Sequence, residues 1–295
     1  MREVLGHDEA KRLLAQARPQ SVLITGPEGV GRRTLAHWYA YGLNCDRGFP
    51  PCGSCTSCRL DPHPDVFEIR PEPGRRPVIP VERIVPREGG GENLLEWLEA
   101  APRFRAKVGI VDGAEHLSEA AANAMLKLLE EPPPHAYLIL IAPSREAILP
   151  TLASRTFWVR LAPLPEETLK GIEADPDLLA FAEGAPGRLF WAREHPTEVK
   201  ELKALVEGLL SGLEDGVGGL ERTRELLRRA EEGLSPWPFF QQAFAELPPK
   251  ERERALSALG KLREAHRAFA HRDLLAAWWL HTLRSLYGDR RPDSL

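Results

Sequence analysis

The hydrophobic pattern of the chain changes near residue 165. Before that point, short apolar runs alternate with stretches in which apolar residues recur at helical spacing. Apolar runs separated by helices are typical of parallel strands in a sheet that is covered on both faces. The clearest runs are 21–26, 107–113 and 136–142, and weaker ones occupy 65–71 and 156–164. We therefore predict an α/β domain in the first part of the chain.

Helices are predicted between these strands. Residues 118–133 give the strongest helical pattern, with Ser118 as the N-cap and prolines as the stop. Another helix begins directly after Gly31, and a short one is predicted over 145–155. The segment 86–94 contains a run of glycines and is predicted to be a surface loop.

After the last predicted strand the pattern is helical only. Residues 164–194 read as a small helical segment with a Gly/Pro break, and amphipathic helices follow from residue 196 onward. We predict three domains, which are an α/β module at 1–162, a small helical domain at 163–195 and an all-α domain at 196–295.

Composition narrows the class of protein. The 295 residues are 43% hydrophobic and 28% charged, which is typical of a globular protein. No apolar run reaches the roughly 18 residues that a membrane-spanning helix needs, so we predict a cytoplasmic protein with no membrane partner. The net charge of −4 disfavours direct binding to nucleic acid by the chain as a whole.

All of the cysteines lie in one short segment, 45–58, with the spacing C-x6-C-x2-C-x2-C. Four thiolates in a tetrahedral array suit Zn²⁺, and a site closed by four of them is structural. Disulfides, free thiols and an iron–sulfur cluster are the alternatives. A cytosolic location argues against disulfides, and the spacing matches neither common ferredoxin pattern. We predict a structural zinc site with these ligands: Cys45, Cys52, Cys55 and Cys58.

The segment GPEGVGRRTLA follows the first predicted strand and has the glycine spacing of a phosphate-binding loop. Such a loop needs a lysine for the phosphates and then a hydroxyl for Mg²⁺. Arg32 stands at the lysine position and Arg33 at the hydroxyl position, while Thr34 comes one residue late. An arginine cannot ligand Mg²⁺. The glycines that retain the turn are Gly26, Gly29 and Gly31.

The second nucleotide element, an apolar strand that ends in two acids, is also incomplete. Asp112 stands where it would orient a metal ion, but Gly113 replaces the acid that would polarise the attacking water. Glu115 lies nearby in a different register. Because the lysine, the hydroxyl and the second acid are all missing, we predict that the chain neither hydrolyses nor binds ATP. An active ATPase with a variant loop remains the alternative.

Four segments together resemble the clamp-loader subunits of bacterial DNA polymerase III, an AAA+ family. The resemblance covers residues 1 to about 190 and is carried by VLITGPEGVGRRTLA, CGSCTSCRLDPHPDVFEI, KVGIVDGAEHLSEAAANAMLKLLEEPPPHAYLILIA and ILPTLASRT. It implies an α/β plus all-α fold, in which a P-loop-type parallel-sheet module with a zinc knuckle is followed by a small helical lid and a C-terminal helical collar.

The resemblance also implies partners. Family members assemble with delta and gamma/tau subunits into a ring that loads the β sliding clamp onto primed DNA. The altered loop favours a non-hydrolysing subunit over a gamma/tau-like motor, which stays open as an alternative. A free-standing zinc module that binds DNA directly is a third reading, and the negative net charge disfavours it.

One further expectation rests on the resemblance alone. The family carries a Ser-Arg-Cys motif whose arginine reaches the ATP of a neighbouring subunit, and here the motif reads Ser154-Arg155-Thr156. Such arginine fingers are worth roughly 10³–10⁵ in rate. From the residues alone, Arg155 would only complement a helix C-terminus.

Arg188 matches a second, nucleotide-sensing arginine of the lid, or else binds a surface acid or a helix end.

Overall fold

A computed structural model describes residues 3–72, 77–87, 91–213, 215–268 and 271–287, without the side chain of Arg267. Residues 88–90 of the predicted loop at 86–94, and 288–295 at the end of the predicted all-α domain, lie outside the described residues. The chain divides into two compact units. The first comprises 1–164 with 185–187, and the second comprises 165–184 with 188–295.

The first unit contains one five-stranded sheet and the helices that cover it. Its strands are β1 (Ser21–Thr25), β2 (Val66–Ile69), β3 (Lys107–Asp112), β4 (Ala136–Ala142) and β5 (Phe157–Arg160). Its helices are α1 (Asp8–Ala17), α2 (Arg32–Asn44), α3 (Leu94–Glu99), α4 (Glu119–Glu130) and α5 (Pro150–Ala153). Ser118 caps α4 as predicted, because its side chain accepts a hydrogen bond from the Ala121 N–H.

All neighbouring strands are parallel, in the order β2-β3-β4-β1-β5. This confirms the predicted parallel sheet. The three inner strands are almost wholly buried, whereas the edge strands β2 and β5 are only partly so. That difference explains why the inner strands are continuous apolar runs in the sequence and the edge strands give a weaker signal.

Successive residues of β1 point to opposite faces of the sheet. Leu23 packs in a cluster with α3, α4 and α5, whereas Val22 and Ile24 pack in a second cluster with α1 and α2. Gly109 on β3 has no side chain because a Cβ there would lie 2.6 Å from Leu94 Cδ1. The glycine therefore lets α3 approach the sheet closely.

The helix predicted over 145–155 is wrong in its extent. The structure has a 3-10 turn at Arg145–Ala147 and a separate four-residue helix, α5. Pro150 is the cause, since the residue before a proline is disfavoured in the α conformation, and Leu149 is extended with ψ 133°. As a result, Arg155 lies two residues beyond the end of α5 rather than within a helix.

The described residues of the second unit form helices and no strands. They are α6 (Glu166–Lys170), α7 (Pro176–Ala182), α8 (Pro186–Glu194), α9 (Pro196–Ser211), α10 (Gly216–Glu231), α11 (Trp237–Ala245), α12 (Pro249–Arg267) and α13 (Arg272–Tyr287), of which α8 begins in the first unit. Trp279 is fully buried with its ring 5.4 Å from that of Phe240, while the adjacent Trp278 is exposed. Among the described residues, no helix is long and apolar enough to span a membrane.

Candidate functional site

The glycine loop keeps the backbone of a phosphate-binding turn. Gly26, Gly29 and Gly31 have φ values of +151°, +76° and +108°, in the region that favours glycine. A Cβ on Gly26 would lie 2.5 Å from the Leu161 carbonyl oxygen, so no other residue is accommodated there. The carbonyl oxygen of Gly29 accepts a hydrogen bond of 2.8 Å from the N–H of Gly187. The turn is thus held by contacts within its own unit.

Arg33 does not point into this turn. Its Nε lies 2.6 Å from Glu68 Oε1 and its Nη2 lies 2.9 Å from Oε2, which is a two-point pairing with a carboxylate on the edge strand β2. His37 Nε2, one helical turn along α2, lies 3.1 Å from the same carboxylate. Arg70 Nε is 2.9 Å from Glu68 Oε1. Glu68 is therefore the common partner of Arg33, His37 and Arg70.

The other two candidates at the loop are less engaged. Neither Arg32 nor Thr34 forms an ion pair or side-chain hydrogen bond with any residue that the structure describes. Asp112 Oδ2 lies 3.8 Å from Arg70 Nε. Burial, helped by the negative charge of Glu68, raises the pKa of Asp112, while the positive charges of Arg33 and Arg32 act in the opposite direction.

The position of the missing catalytic acid is constrained by the backbone. Gly113 has φ +92°, and a Cβ there would lie 3.2 Å from Pro71 Cδ. A glutamate would be strained at this position, so the loss of the acid is built into the local fold. Glu115 does not replace it, because its Oε1 lies 3.7 Å from His116 Nε2 and its buried Oε2 has no hydrogen-bond partner among the described residues.

Sequence reasoning missed Glu68, Arg70 and His37. A weak signal was available, since Arg33 and His37 are four residues apart on α2, and Arg70 follows the end of β2 two residues after Glu68. The pairing between the two elements depends on the sheet order, which the sequence alone does not provide.

Arg155 lies on the surface beside the ends of α4 and α5. Its Nε and Nη2 lie 2.7 Å and 2.6 Å from Glu130 Oε1, and its Nη1 donates to the Thr151 carbonyl oxygen at 3.0 Å. The Ser154 hydroxyl donates to the same carbonyl, and the Thr156 hydroxyl donates to that of Ala153. In this arrangement Arg155 complements the end of a helix. Its side chain is 38% exposed, so the guanidinium remains accessible from outside.

Arg188 belongs to the second unit and has local partners. Its guanidinium forms an ion pair with Glu183 and lies 4.8 Å from the ring centroid of Phe181. Nη2 is buried and has no hydrogen-bond partner among the residues that the structure covers. These contacts match the alternative in which Arg188 binds a nearby acid.

The cysteines converge as the spacing predicts. All four are free, and their Sγ atoms lie within 4.8 Å of one another. Cys45 follows the last residue of α2, and backbone N–H groups point at three of the sulfurs. The donor–acceptor pairs are Cys52 N to Cys45 Sγ at 3.4 Å, Cys55 N to Cys52 Sγ at 3.3 Å and Cys58 N to Cys55 Sγ at 3.5 Å. Such N–H···S bonds favour thiolates.

The thiol pKa values follow from this geometry. Hydrogen bonds from the Ser54 hydroxyl and backbone, together with the Cys55 N–H, lower the pKa of Cys52 to about 5. Burial raises the pKa of Cys58 to about 12. Four thiolates within 4.8 Å of one another would repel, and a bound cation would offset that repulsion. The donor set fits a tetrahedral Zn²⁺ site.

Buried polar residues join the cysteine segment to the sheet, and sequence reasoning missed them. The His63 ring accepts the Asp65 N–H at Nδ1, so its Nε2 carries the proton and donates to the Ser57 hydroxyl at 2.9 Å. The Asp65 carboxylate accepts the N–H groups of Arg103 and Phe104. Lys107 Nζ lies 3.4 Å from the same carboxylate. These contacts span distant parts of the chain and leave no periodic signal.

Comparison with known proteins gives the family context. The profile of the family described as DNA polymerase III, delta subunit, matches residues 8–165. The DNA polymerase III subunit delta' of Pseudomonas aeruginosa is 34% identical over 208 residues, which are 63% of this chain and 59% of that protein. The gamma/tau subunit of Mycobacterium bovis is 32% identical over 184 residues, which are 58% of this chain and 30% of that protein. The chain thus spans less than two thirds of these relatives.

A solved structure shares the fold. A DNA polymerase III gamma subunit-related protein from Thermotoga maritima aligns with a TM-score of 0.51 at 22% identity, and the alignment covers 96% of this chain and 99% of that one. Together with the parallel sheet and the helices that follow it, this likeness confirms the predicted fold, a parallel-sheet α/β module followed by helices.

Proposed function

The chain belongs to the DNA polymerase III delta-subunit family, its resemblance to the clamp-loader subunit delta prime is confirmed, and on that premise we propose that it is a non-hydrolysing subunit of a clamp loader. In this role it helps a complex of delta and gamma/tau subunits to load the β sliding clamp onto primed DNA. The subunit contributes to ATP hydrolysis through Arg155, which acts on a nucleotide bound by a neighbouring gamma/tau subunit.

The pairing of Arg33 with Glu68 carries the proposal that this chain's own loop is silent. In an active loop the side chain at this position holds Mg²⁺. Here that side chain is a cation, and its two-point pairing turns it toward β2. Gly113, with its positive φ, removes the catalytic acid on the opposite side of the site. The loop then serves as a strand-to-helix joint and takes up no ATP.

Accessibility supports the role of Arg155. The Glu130 side chain is 48% exposed, and an exposed ion pair of this kind contributes only about 0.2–1 kcal/mol. A γ-phosphate presented by a neighbour, with its larger charge, would compete with Glu130 for the guanidinium. Ser154 contributes by donating a hydrogen bond to the Thr151 carbonyl oxygen, which also accepts a hydrogen bond from Arg155.

The cysteine cluster is proposed to hold a structural Zn²⁺. When bound, the ion supplies four metal–sulfur bonds that fix the segment 45–58. Within the rest of the chain we propose the three-part division into an AAA+ module at 1–162, a lid at 163–195 and a collar at 196–295. The collar serves assembly with the other subunits.

The test of the finger is a clamp loader reconstituted with Arg155→Ala. It should assemble with delta and gamma/tau yet lose at least tenfold in DNA-stimulated ATPase activity and clamp loading, since a charge that stabilises the transition state is removed. The matched control is Glu130→Gln, which breaks the same ion pair but leaves the guanidinium in place. Normal loading by the Arg155→Ala complex would refute the finger role.

The gamma/tau-like ATPase is the second candidate, and the 32% identity to a gamma/tau subunit favours it. The isolated chain distinguishes the two. Hydrolysis of ATP above background, in a preparation free of gamma/tau, would establish the second candidate and exclude the first.

A further inference from the structure

A cavity of about 530 Å³ opens beside the cysteine segment, and nothing in the proposed function uses it. Its walls come from the ends of α1 and α2, the residues 46–49, and the residues just before β3 and β4. The starts of parallel strands lie at the sheet edge opposite to their carboxyl ends, where the glycine loop lies. The cavity and the loop are therefore separate places in the same unit.

Positive charge is concentrated around this cavity. Arg18, Arg47 and Arg105 line it, and Asp46 is the one carboxylate among its lining residues. The chain as a whole has a net charge of −4, so this excess of cations is a local feature. A concave site with charges of one sign focuses the electrostatic field and attracts ions of the opposite sign.

Arg105 is held in place from two directions. Its backbone N–H and that of Ala106 donate to Oδ1 of the fully buried Asn44, at 3.0 Å and 2.9 Å. Its guanidinium donates to the carbonyl oxygens of Cys45 and Asp46. Its Nη2 also lies 3.9 Å from Asp46 Oδ1, in a pair whose side chains are both more than half exposed. A guanidinium has five N–H donors, and the two carbonyl contacts leave three of them for a ligand. Preorganisation of this kind lowers the entropic cost of binding.

Arg18 follows the last residue of α1 and lines the same cavity. It ends α1 with φ +44°, a left-handed conformation that few residues other than glycine adopt. Its guanidinium carbon lies 5.7 Å from the ring centroid of Phe49, which also lines the cavity. Gly48 has no side chain there, and a Cβ would lie 3.9 Å from Arg18 Nη2. Arg18 Nε donates to the Ala15 carbonyl oxygen at 3.3 Å, which leaves the four N–H donors of its two Nη groups for a ligand.

Arg47 has no partner among the residues that the structure describes. It is exposed, and it forms no ion pair or side-chain hydrogen bond with any residue in the described ranges. Its charge is not needed to satisfy the fold. Three arginines from three separate segments thus reach one cavity, and each has donors that the protein itself does not use.

We propose that this cavity binds a small anion that carries two or more phosphate groups. Arginine forks match the spacing of phosphate oxygens and bind them at two points. The volume lies in the range of small-ligand sites, and the rings of Phe49 and Tyr137 supply apolar wall. Since residues 46–49 lie between the first two cysteines, binding also depends on an ordered cysteine segment.

Titration calorimetry of the zinc-loaded full chain with inorganic pyrophosphate, without Mg²⁺, tests the proposal. Saturable binding is expected, and Arg47→Ala and Arg18→Ala should each weaken it about tenfold or more, because each removes charge-assisted hydrogen bonds. Arg87→Ala is the matched control, since Arg87 is exposed and does not line the cavity. Zinc content is measured before and after, because pyrophosphate also chelates metals.

A second arm uses a single-stranded oligonucleotide as the probe. Tighter binding of the oligonucleotide with the same loss in Arg47→Ala would identify nucleic acid as the source of the phosphates, and its absence would leave the free anion. The proposal is overturned if neither probe saturates, or if Arg87→Ala weakens binding as much as Arg47→Ala. If only Arg32→Ala weakened the binding, the anion would bind at the glycine loop. That result would overturn the proposal for the cavity and would also contradict a silent loop.

Discussion

The glycine loop and the cysteine cluster both lie in the first unit, but the loop retains its backbone conformation whereas the cluster retains its reactive side chains. The loop retains its backbone, with three glycines at positive φ, but Arg33 is turned to Glu68 and Gly113 has no side chain. The cluster retains its chemistry, with four sulfurs within 4.8 Å. The backbone conformation of a site can therefore be retained without its reactive side chains, because the fold requires the backbone whereas only a ligand requires the side chains.

The largest effect is expected at the cluster. Cys58→Ser, or removal of zinc with a chelator, should lower the free energy of unfolding by several kcal/mol, because metal binding to a folded site is part of the folding free energy. Urea unfolding of the zinc-loaded and zinc-free chain measures this. Thr56→Ala, an exposed substitution between two ligands, is the control and should have no effect. Equal stability with and without metal would show that the cluster is not a structural zinc site.

Asp65 lies between the cluster and the sheet. Asp65→Asn should also lower the free energy of unfolding, although by less than the loss of zinc. The substitution leaves Lys107 buried without its partner, and breaking a buried pair in this way costs about 3–5 kcal/mol. Glu68→Gln at the glycine loop breaks ion pairs with Arg33 and Arg70, whose side chains are about half exposed, so it should cost only about 1 kcal/mol. The expected difference fails if the two variants unfold at the same urea concentration.

These two acids also show what the sequence could and could not predict. The glycines of the loop, the cysteines and the inner strands follow local patterns, so their positions were predictable. Asp65 and Glu68 acquire their roles from partners more than 30 residues away, and no local pattern reports such pairing. The helix predicted over 145–155 is wrong in its extent because Pro150 disfavours the α conformation at Leu149.

The smallest expected change in the free energy of unfolding is an increase, and it concerns Asp112, the acid beside the glycine loop. Burial raises the pKa of Asp112, so its ionised form is disfavoured in the folded state at neutral pH. Asp112→Asn should therefore raise the free energy of unfolding at pH 7 slightly, by at most about 1 kcal/mol, and the gain should vanish as the pH falls through the carboxyl pKa. Urea unfolding of wild type and variant at pH 7 and pH 3 measures both.

The control for this prediction is Asp8→Asn. A hydrogen bond from Lys11 lowers the pKa of Asp8, so this substitution should not stabilise the chain at pH 7. Destabilisation by Asp112→Asn at pH 7 would mean that the pairing with Arg70 outweighs the cost of burial, and it would contradict the prediction.

Equilibrium dialysis of the isolated chain against ATP, with and without Mg²⁺, tests the silent loop most directly. It is performed on the wild type and on Arg47→Ala, so that any binding in the arginine-lined cavity is separated from binding at the loop. No Mg²⁺-dependent uptake of ATP is expected in either protein. Saturable, Mg²⁺-dependent binding of one ATP per chain that persists in Arg47→Ala would contradict this expectation.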